Sequence, residues 1–179
     1  MPVEKEIKYK IDCKDIETIK KKLEQAGAIH LKTQHETDHY LQHPCRDLRE
    51  TDEALRLRIT NGKIESLTYK GPRTGKTIKE REEINVEVHD ENILNLLYKL
   101  GFQIAITVKK QREYYRYKET LITLDQVEQL GCYIELELYP EATSTETLFE
   151  TAEILEIKGQ PITQSYAELL QKTNKEIFN

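Results

Sequence analysis

Charged and apolar residues alternate along the first stretch of this chain, from Val3 to Ile11. Successive side chains of a β-strand point to opposite faces, so alternate positions share a face. The even-numbered positions form a charged face, which consists of Glu4, Glu6, Lys8 and Lys10. The odd-numbered positions are mostly apolar. The pattern predicts a strand with one polar face and one buried face.

Two later stretches repeat this alternation and collect like charges on one face. The stretch 54–60 brings Arg56 and Arg58 to the same side, and the stretch 132–139 does so with Glu135 and Glu137. One interpretation is an open sheet whose charged face lies in water and forms weak surface ion pairs. The repetition favours the alternative, a closed barrel whose charged faces line a wet interior and whose apolar faces lie outside, beneath helices.

Periodicity and turn signals along the rest of the chain predict eight strands and four helices. The strands are expected at residues 3–11, 29–42, 54–60, 63–70, 78–88, 102–118, 121–125 and 132–139, and the helices at residues 15–27, 91–100, 143–158 and 164–172. Asn61-Gly62 is a strong hairpin signal. Strands joined by hairpins and interrupted by helices are typical of an α+β fold built on an antiparallel closed barrel. We expect residues 1–179 to form one domain.

Composition narrows the class of protein. The chain has 27 basic and 32 acidic residues and a net charge of −5, which disfavours nucleic-acid binding. No apolar run approaches the ~18 residues of a membrane span, and the N-terminal residues show no signal-peptide pattern, so a cytoplasmic protein is expected. Cys13, Cys45 and Cys132 are odd in number and lack CxxC spacing, which indicates neither a disulfide framework nor a zinc site.

Two motifs that resemble other kinds of site fail on their context. Three residues separate Gly71 from Gly75, whereas a P-loop needs four, and a strand rather than a helix is predicted to follow. We therefore expect residues 71–77 to form a flexible loop beside the barrel opening. His35 and His39 lie on a predicted strand without helical chelating geometry, so a solvated or structural role is expected for them.

The charged faces of the predicted strands together form a candidate site. Its acids are Glu4, Glu6, Asp125, Glu135 and Glu137, and its bases are Lys8, Arg56, Arg58, Lys70, Lys110 and Arg112. Carboxylates and water are the ligands that Mg²⁺ and Mn²⁺ prefer. Arginine forks and lysine ammonium groups bind phosphate oxygens. A triphosphate carrying one or two divalent ions would neutralise both sets of charge.

The order of these motifs resembles a known family. Glu4-x-Glu6-x-Lys8 is similar to the opening ExExK signature of the CYTH superfamily, the triphosphate tunnel metalloenzymes. The resemblance spans residues 3–139 and continues through the arginine strand, Lys70-Gly71-Pro72, Lys110-Gln111-Arg112, Asp125 and Glu135-x-Glu137. Ser165-Tyr166 resembles the C-terminal end of the family. The resemblance implies an eight-stranded antiparallel tunnel that binds a triphosphate with Mg²⁺ or Mn²⁺.

Within the superfamily, residues 35–41 and 108–112 are most similar to bacterial class IV adenylyl cyclases. This resemblance implies conversion of ATP to 3′,5′-cyclic AMP and pyrophosphate. It assigns the divalent ion to Glu4, Glu6, Asp125, Glu135 and Glu137. It assigns the triphosphate to Lys8, Arg56, Arg58, Lys70, Lys110 and Arg112. The residues expected to act in catalysis are Lys8, Arg58, Lys110, Arg112 and Asp125.

Two departures from the cyclase pattern leave other functions open. Both Arg56 and Arg58 are present, as in hydrolytic members, and Lys109 stands where the cyclases carry an acid. The first alternative is a triphosphatase that hydrolyses thiamine triphosphate or inorganic triphosphate. The second is a non-catalytic module that binds a polyphosphate or nucleotide. A homodimer also stays open, and no residue stands out as a dedicated general base.

Overall fold

A computed structural model describes residues 3–74, 77–142 and 144–177 of the chain. Eight strands occupy most of it, and their bounds agree with the alternation pattern to within a few residues. They are β1 (Val3–Ile11), β2 (Ile29–Gln42), β3 (Ala54–Thr60), β4 (Lys63–Lys70), β5 (Lys79–Glu87), β6 (Gln103–Tyr117), β7 (Thr120–Val127) and β8 (Gly131–Leu138).

The strands close into an antiparallel barrel, as predicted. The order around it is β1, β5, β4, β3, β2, β6, β7 and β8, and β8 pairs with β1 to complete the circuit. The β3–β4 hairpin turns at Asn61 and Gly62, whose φ angles are 50° and 82°. A two-residue turn of type I′ needs positive φ at both positions, which explains the Asn-Gly pair. Gly75 and Lys76 of the predicted loop lie outside the described residues.

The helices also follow the predicted order, with shifted ends. A 3₁₀ turn at Cys13–Asp15 leads into α1 (Ile16–Gln25), and α2 (Asn92–Lys99), α3 (Glu146–Ile154) and α4 (Tyr166–Ile177) come later. The third helix is shorter than expected because Glu156 takes a φ of 53°, a left-handed conformation that ends a helix. Thr143, its predicted start, lies outside the described residues. No helix in the described parts is long and apolar enough to cross a membrane.

Three helices cover the outer wall of the barrel. On one side, α1 and α3 bury Leu23 and Leu148 against Ile7 of β1 and Leu136 of β8. Elsewhere, Leu97 of α2 packs with residues of β2 and β3. Each buried leucine or isoleucine side chain contributes ~1.5–3 kcal/mol relative to an exposed one. The apolar faces of these strands therefore lie outside the barrel, as the alternation predicted.

The fourth helix is placed differently from the prediction that all helices pack outside. Tyr166, Ala167 and Leu170 of α4 pack with Val108 and Val127. Val108 alternates with Lys110 on β6 and so shares its inner face. α4 therefore covers one end of the barrel. At this end the residues that face the barrel interior are apolar rather than charged. We call the charged interior the tunnel.

A disulfide between Cys13 and Cys132 overturns the expectation that the cysteines are unpaired. The closed barrel is the reason, because Cys132 lies opposite Ile11 in the pairing of β1 with β8. That register brings Cys132 next to the turn that follows β1. The two residues are 119 positions apart in the sequence, and CxxC spacing does not detect such a pair. Cys45 is free and exposed.

Candidate active site

The tunnel has a polar pocket at its centre, and most of the site residues expected from the sequence line it. They are Glu4, Glu6, Lys8, Arg56, Arg58, Lys70, Lys110, Arg112, Glu135 and Glu137. Ten of the eleven candidates are thus brought together from five strands, which only the closed sheet allows. Asp125 is the exception, because it is fully buried behind the wall of this pocket.

Three of the acids form a cluster across the β1–β8 junction. Glu6 and Glu137 are directly opposite each other in the strand register, and Glu4 is the next inward position on β1. Burial and the negative charges of Glu4 and Glu6 raise the pKa of Glu137 to about 8. A carboxyl group with such neighbours resists ionisation, and a bound cation would relieve the repulsion.

Two lysines neutralise part of this cluster. Nζ of Lys79 pairs with Glu6, and Nζ of Lys70 donates to Oε2 of Glu4 at 3.0 Å and to Oε2 of Glu83 at 2.6 Å. With these pairs in place, no three His, Cys, Asp or Glu side chains among the described residues are arranged around one point as metal ligands. The donor set of Glu4, Glu6 and Glu137 nevertheless has the oxygen chemistry that Mg²⁺ and Mn²⁺ prefer.

Glu135 has a different environment from the other acids. Its Oε1 lies 3.2 Å from Nζ of Lys8, and its Oε2 accepts a hydrogen bond from Arg112. Burial alone would raise the pKa of Glu135, but the positive charges of Arg112 and Lys8 hold it well below its ordinary value. Glu135 is therefore ionised and paired, with its charge directed at two of the predicted phosphate-binding groups.

Asp125 lies on the far side of Arg112. It accepts two hydrogen bonds from the Arg112 guanidinium and a third, of 2.6 Å, from the hydroxyl of Tyr166. The Tyr166 ring in turn lies 4.3 Å from Nζ of Lys8, a cation–π distance. Asp125 thus holds the orientation of Arg112 and of the first residue of α4, and a ligand in the pocket would meet those groups rather than Asp125 itself.

Two buried acids on β2 were not among the sequence candidates. Asp38 accepts a bidentate pair from Arg58, at 2.7 and 2.8 Å, and a third bond of 2.7 Å from Nζ of Lys110. Oε2 of Glu36 lies 3.1 Å from Arg58 and 2.9 Å from Lys110. Both carboxylates are almost inaccessible to solvent. They fix the positions of two bases that the sequence assigned to the triphosphate.

Charge interactions keep these acids ionised. Burial by itself would raise the pKa of Asp38. The positive charges of Lys110 and Arg58 have the larger effect and hold this pKa well below its ordinary value. Glu36 behaves similarly, since the charges of Arg112, Lys110 and Arg58 outweigh the effect of its burial and lower its pKa. The signal in the sequence was the alternation of Glu36 and Asp38 along β2, which is the same signal that identified the acids of β1 and β8.

The inner face of β5 supplies further charged groups that the sequence candidates omit. Lys79 and Arg81 line the tunnel pocket. Glu83 pairs with Lys70, and the charges of Lys70 and Arg56 offset its burial and lower its pKa to about 2. These three residues alternate along the strand and therefore share a face. A sequence pattern does not show which strands are neighbours, so it does not connect this face to the site.

Arg56 has unused hydrogen-bonding capacity. One Nη donates to Oγ1 of Thr68 at 3.2 Å, whereas its buried Nε has no hydrogen-bond partner among the described residues. A buried guanidinium N–H without a partner is costly. An anion in the pocket would supply the missing acceptor.

The two ends of the tunnel differ in character. At the end that α4 covers, a cavity of about 240 Å³ adjoins the tunnel pocket and shares Tyr40, Ala54, Arg81 and Ser165 with it. Its wall is mixed. It has an apolar part formed by Leu41, Leu48, Leu55, Ile106 and Ala167, and a charged part that includes Arg49, Asp52, Arg73 and Glu168. At the opposite end, the opening is lined by polar residues that include Lys32, Gln34, Ser66 and Asn85. A ligand with a charged and an uncharged part would find matching surroundings at the end covered by α4.

Comparison with known proteins identifies the class to which this barrel and its charged interior belong. The CYTH domain model matches residues 3–169, so the chain belongs to the CYTH family. Proteins of this family bind triphosphate substrates and depend on divalent metal ions.

Individual relatives span nearly the whole chain. A Methanocaldococcus jannaschii protein with the provisional name adenylate cyclase is 37% identical over 174 residues, which are 93% of this chain and 98% of the relative. The structure of the PH1819 protein from Pyrococcus horikoshii is 37% identical, has a TM-score of 0.77, and covers 95% of this chain and 99% of its own.

A more distant structure shows the same fold. It is the provisional adenylyl cyclase HpAC1 from Hippeastrum, which is described as having a dominant triphosphatase activity. It is 18% identical, with a TM-score of 0.68 over 97% of this chain and 96% of that one.

Proposed function

We propose that this CYTH protein is an adenylyl cyclase of the class IV type, which converts ATP to 3′,5′-cyclic AMP and pyrophosphate in the cytoplasm, and that residues 1–179 act as one domain. The observation that carries the proposal is a cavity with an apolar part, formed by Leu41, Leu48, Leu55, Ile106 and Ala167, beside a cationic tunnel. Inorganic triphosphate has no uncharged part to fill such a cavity, whereas a nucleoside does. Its volume of about 240 Å³ is just below the ~300–1,000 Å³ of pockets that enclose a whole ligand.

In the proposed reaction, the 3′-hydroxyl oxygen of ATP attacks the α-phosphorus. The bond from the α-phosphorus to the bridging oxygen of the β-phosphate breaks, the hydroxyl proton passes to solvent water, and pyrophosphate leaves. The bases Lys8, Arg56, Arg58, Lys110 and Arg112 bind the triphosphate and stabilise the charge that develops on the leaving group. Asp38, Glu36 and Asp125 hold several of these bases in place, which reduces the cost of orienting them during the reaction.

The metal-binding role is proposed chiefly for Glu4, Glu6 and Glu137. A divalent cation, Mg²⁺ or Mn²⁺, supplies charge neutralisation and lowers the pKa of a bound hydroxyl when it is present. Glu135 lies on β8 and lines the same pocket, so it could also contribute a ligand to this metal site. Asp125 is proposed to act through Arg112 and Tyr166, because both of its oxygens are engaged by those groups.

A triphosphatase is the second candidate, and a specific observation favours it. Both Arg56 and Arg58 line the tunnel, and Nε of Arg56 is without a partner in the described residues. An extra cationic group of this kind suits attack by water on a terminal phosphorus, where charge develops farther from the nucleoside. The polar opening at the opposite end provides a route for that water.

One experiment distinguishes these functions. The protein is incubated with ATP and Mn²⁺, and separately with tripolyphosphate and Mn²⁺, and the products are separated by chromatography. Cyclic AMP with an equal amount of pyrophosphate supports the cyclase. Orthophosphate from either substrate, without cyclic AMP, supports the triphosphatase and overturns the cyclase. No product from either substrate, with binding intact, would identify a non-catalytic module.

A further inference from the structure

Arg73 joins three separate segments of the chain at the end of the barrel that α4 covers. Its Nε donates to Oδ2 of Asp52 at 3.0 Å, and its backbone N–H donates to the same oxygen at 2.8 Å. Its Nη1 and Nη2 donate to the two carboxylate oxygens of Glu168 at 2.9 and 2.8 Å. Nη1 also donates to the carbonyl oxygen of Thr163 at 3.0 Å. We call Asp52, Arg73 and Glu168 the Arg73 clamp.

The clamp lies in the wall of the cavity that α4 covers and not in the tunnel. All three of its residues line the cavity, and none of them lines the central pocket. The tunnel bases are held by the hydrogen-bonded barrel strands, which do not depend on the clamp. The cavity wall, in contrast, is built partly from the loop before β3, the loop after β4 and the start of α4. The clamp connects those three segments.

Its geometry differs from that of an ordinary surface ion pair. An isolated exposed pair contributes ~0–1 kcal/mol, because the side chains are mobile and screened by water. Here one guanidinium forms a two-bond fork with each of two carboxylates, through Nε and Nη2 to Asp52 and through Nη1 and Nη2 to Glu168. Such forks add geometric specificity as well as energy. The Arg73 side chain is only 22% exposed. The interaction therefore fixes relative positions rather than only balancing charge.

Glu168 also determines where α4 begins. Its Oε2 accepts hydrogen bonds from the backbone N–H and the hydroxyl of Ser165, at 2.7 and 2.9 Å, and its own N–H donates to Oγ of Ser165 at 3.2 Å. This is a capping box, in which Glu or Gln serves at the third position. The neighbouring Tyr166 is held independently by Asp125 inside the barrel. Loss of the clamp would thus loosen the cavity side of α4 and leave its tunnel side attached.

We infer that Arg73 is a positioning residue that sets the preference for nucleoside triphosphates over inorganic tripolyphosphate, by holding the cavity wall that contacts the nucleoside. The inference rests on the proposed function, because it assumes that the cavity receives the organic part of the substrate. Removing the clamp should weaken nucleotide binding selectively, since tripolyphosphate needs only the barrel-borne bases.

The test measures dissociation constants by calorimetry for a non-hydrolysable ATP analogue and for tripolyphosphate, each with Mn²⁺. For Arg73→Gln we expect the dissociation constant of the ATP analogue to rise about tenfold or more, as expected for the loss of a charged hydrogen-bond network. The dissociation constant of tripolyphosphate should change by less than about twofold, which is the size of effect that an unrelated surface substitution produces. A loss of equal size for both ligands, or no loss for the nucleotide, would overturn the inference.

Two further variants make the test specific. Glu168→Gln keeps a capping-box residue and removes the charge on that side of the clamp, so it should reproduce the selective loss even if Arg73→Gln folds poorly. The effects of the two substitutions should not add in the double variant, because both remove the same interaction. Arg116→Gln serves as the matched control, since Arg116 is exposed on β6 and lines neither the tunnel pocket nor the cavity.

The wild-type protein separates this inference from the proposed function. Binding of tripolyphosphate without binding of the nucleotide analogue would overturn the proposed substrate class, and the inference with it. Binding of both, with equal losses in Arg73→Gln, would leave the proposed function intact and overturn only the role of Arg73.

Discussion

Glu6 on β1 lies directly opposite Glu137 on β8, at the junction that closes the barrel. Two acids from positions 6 and 137 of the chain thereby share one buried surface, together with Glu4. The raised pKa of Glu137 reflects the cost of this arrangement when no cation is bound. Like charges at such a cost are what the proposed metal-binding role of this cluster would require.

Substitution of Glu137 tests this interpretation. Glu137→Gln should leave the melting temperature of the metal-free protein unchanged or higher, because a carboxyl group among like charges is replaced by a neutral isostere. The same variant should lose most of the rise in melting temperature that Mn²⁺ produces in the wild type. Melting curves by circular dichroism with and without Mn²⁺ check both parts. A full Mn²⁺ response in the variant would exclude Glu137 from the metal site.

Arg58 should be sensitive to a change that keeps its charge. In Arg58→Lys, one ammonium group cannot maintain the fork on Asp38 and present a second donor to phosphate. We expect kcat/KM to fall about tenfold or more, consistent with the loss of charged hydrogen bonds. Steady-state kinetics on the substrate identified by product analysis provide the measurement, and Lys109→Arg, on an exposed position of β6, is the control. Wild-type kinetics for Arg58→Lys would show that Arg58 does not bind the phosphates directly.

The acids of β2 predict a specific dependence of stability on pH. The pKa values of Glu36 and Asp38 are lower in the folded protein than their ordinary values of 4.5 and 3.8. Groups with lowered pKa stabilise the fold above those ordinary values, and this stabilisation is lost as the pH falls through the lowered ones. The free energy of unfolding should therefore decrease as the pH is lowered below about 4.5.

Asp38→Asn separates this contribution from that of other carboxylates. The substitution leaves Arg58 and Lys110 buried with less compensating negative charge. It should therefore lower the free energy of unfolding by about 3–5 kcal/mol at pH 7. It should also make the decrease below pH ~4.5 shallower than in the wild type. Urea unfolding at pH 7 and at acid pH checks both expectations. Equal pH dependence in the two proteins would mean that the Asp38 network does not control acid unfolding.

The disulfide should make a large contribution to stability, because it connects residues 119 positions apart. A cross-link over such a separation reduces the entropy of the unfolded chain, and removal of native disulfides typically costs about 2–5 kcal/mol. Cys13→Ser should show this loss in urea unfolding, and the wild type should show it after reduction. Cys45→Ser, at a free exposed cysteine, should not. Equal stability of Cys13→Ser and the wild type would mean that the cross-link does not form in solution.

Metal and triphosphate should stabilise the protein together more than separately. The acid cluster and the tunnel bases each contain groups of like charge, and one ligand relieves only one set. With both ligands at about a hundredfold excess over their dissociation constants, each binding event would add ~2.7 kcal/mol to the free energy of unfolding. The rise in melting temperature with Mn²⁺ plus tripolyphosphate should exceed the sum of the separate rises. A purely additive response would indicate two independent sites.

The local alternation of residues was sufficient to predict the strands and which side chains of each strand share a face. The bounds of β2, β3 and β4 agree with the predicted ones, and the inward positions of β1 and β8 were identified correctly. These features depend on neighbours in the sequence, because the period of a strand is fixed by its backbone geometry. The hairpin at Asn61-Gly62 was predictable for the same reason, since both residues favour positive φ.

The tertiary structure decided which of these faces meet. The pairing of β1 with β8 placed Glu6 opposite Glu137 and brought Cys13 to Cys132, although the cysteines alone gave no such indication. The pairing of β2 with β3 and β6 joined Asp38 to Arg58 and Lys110, and α4 came to cover one end of the tunnel rather than its outer wall. Strand order and register result from the total packing of the barrel, so no local pattern in the sequence determines them.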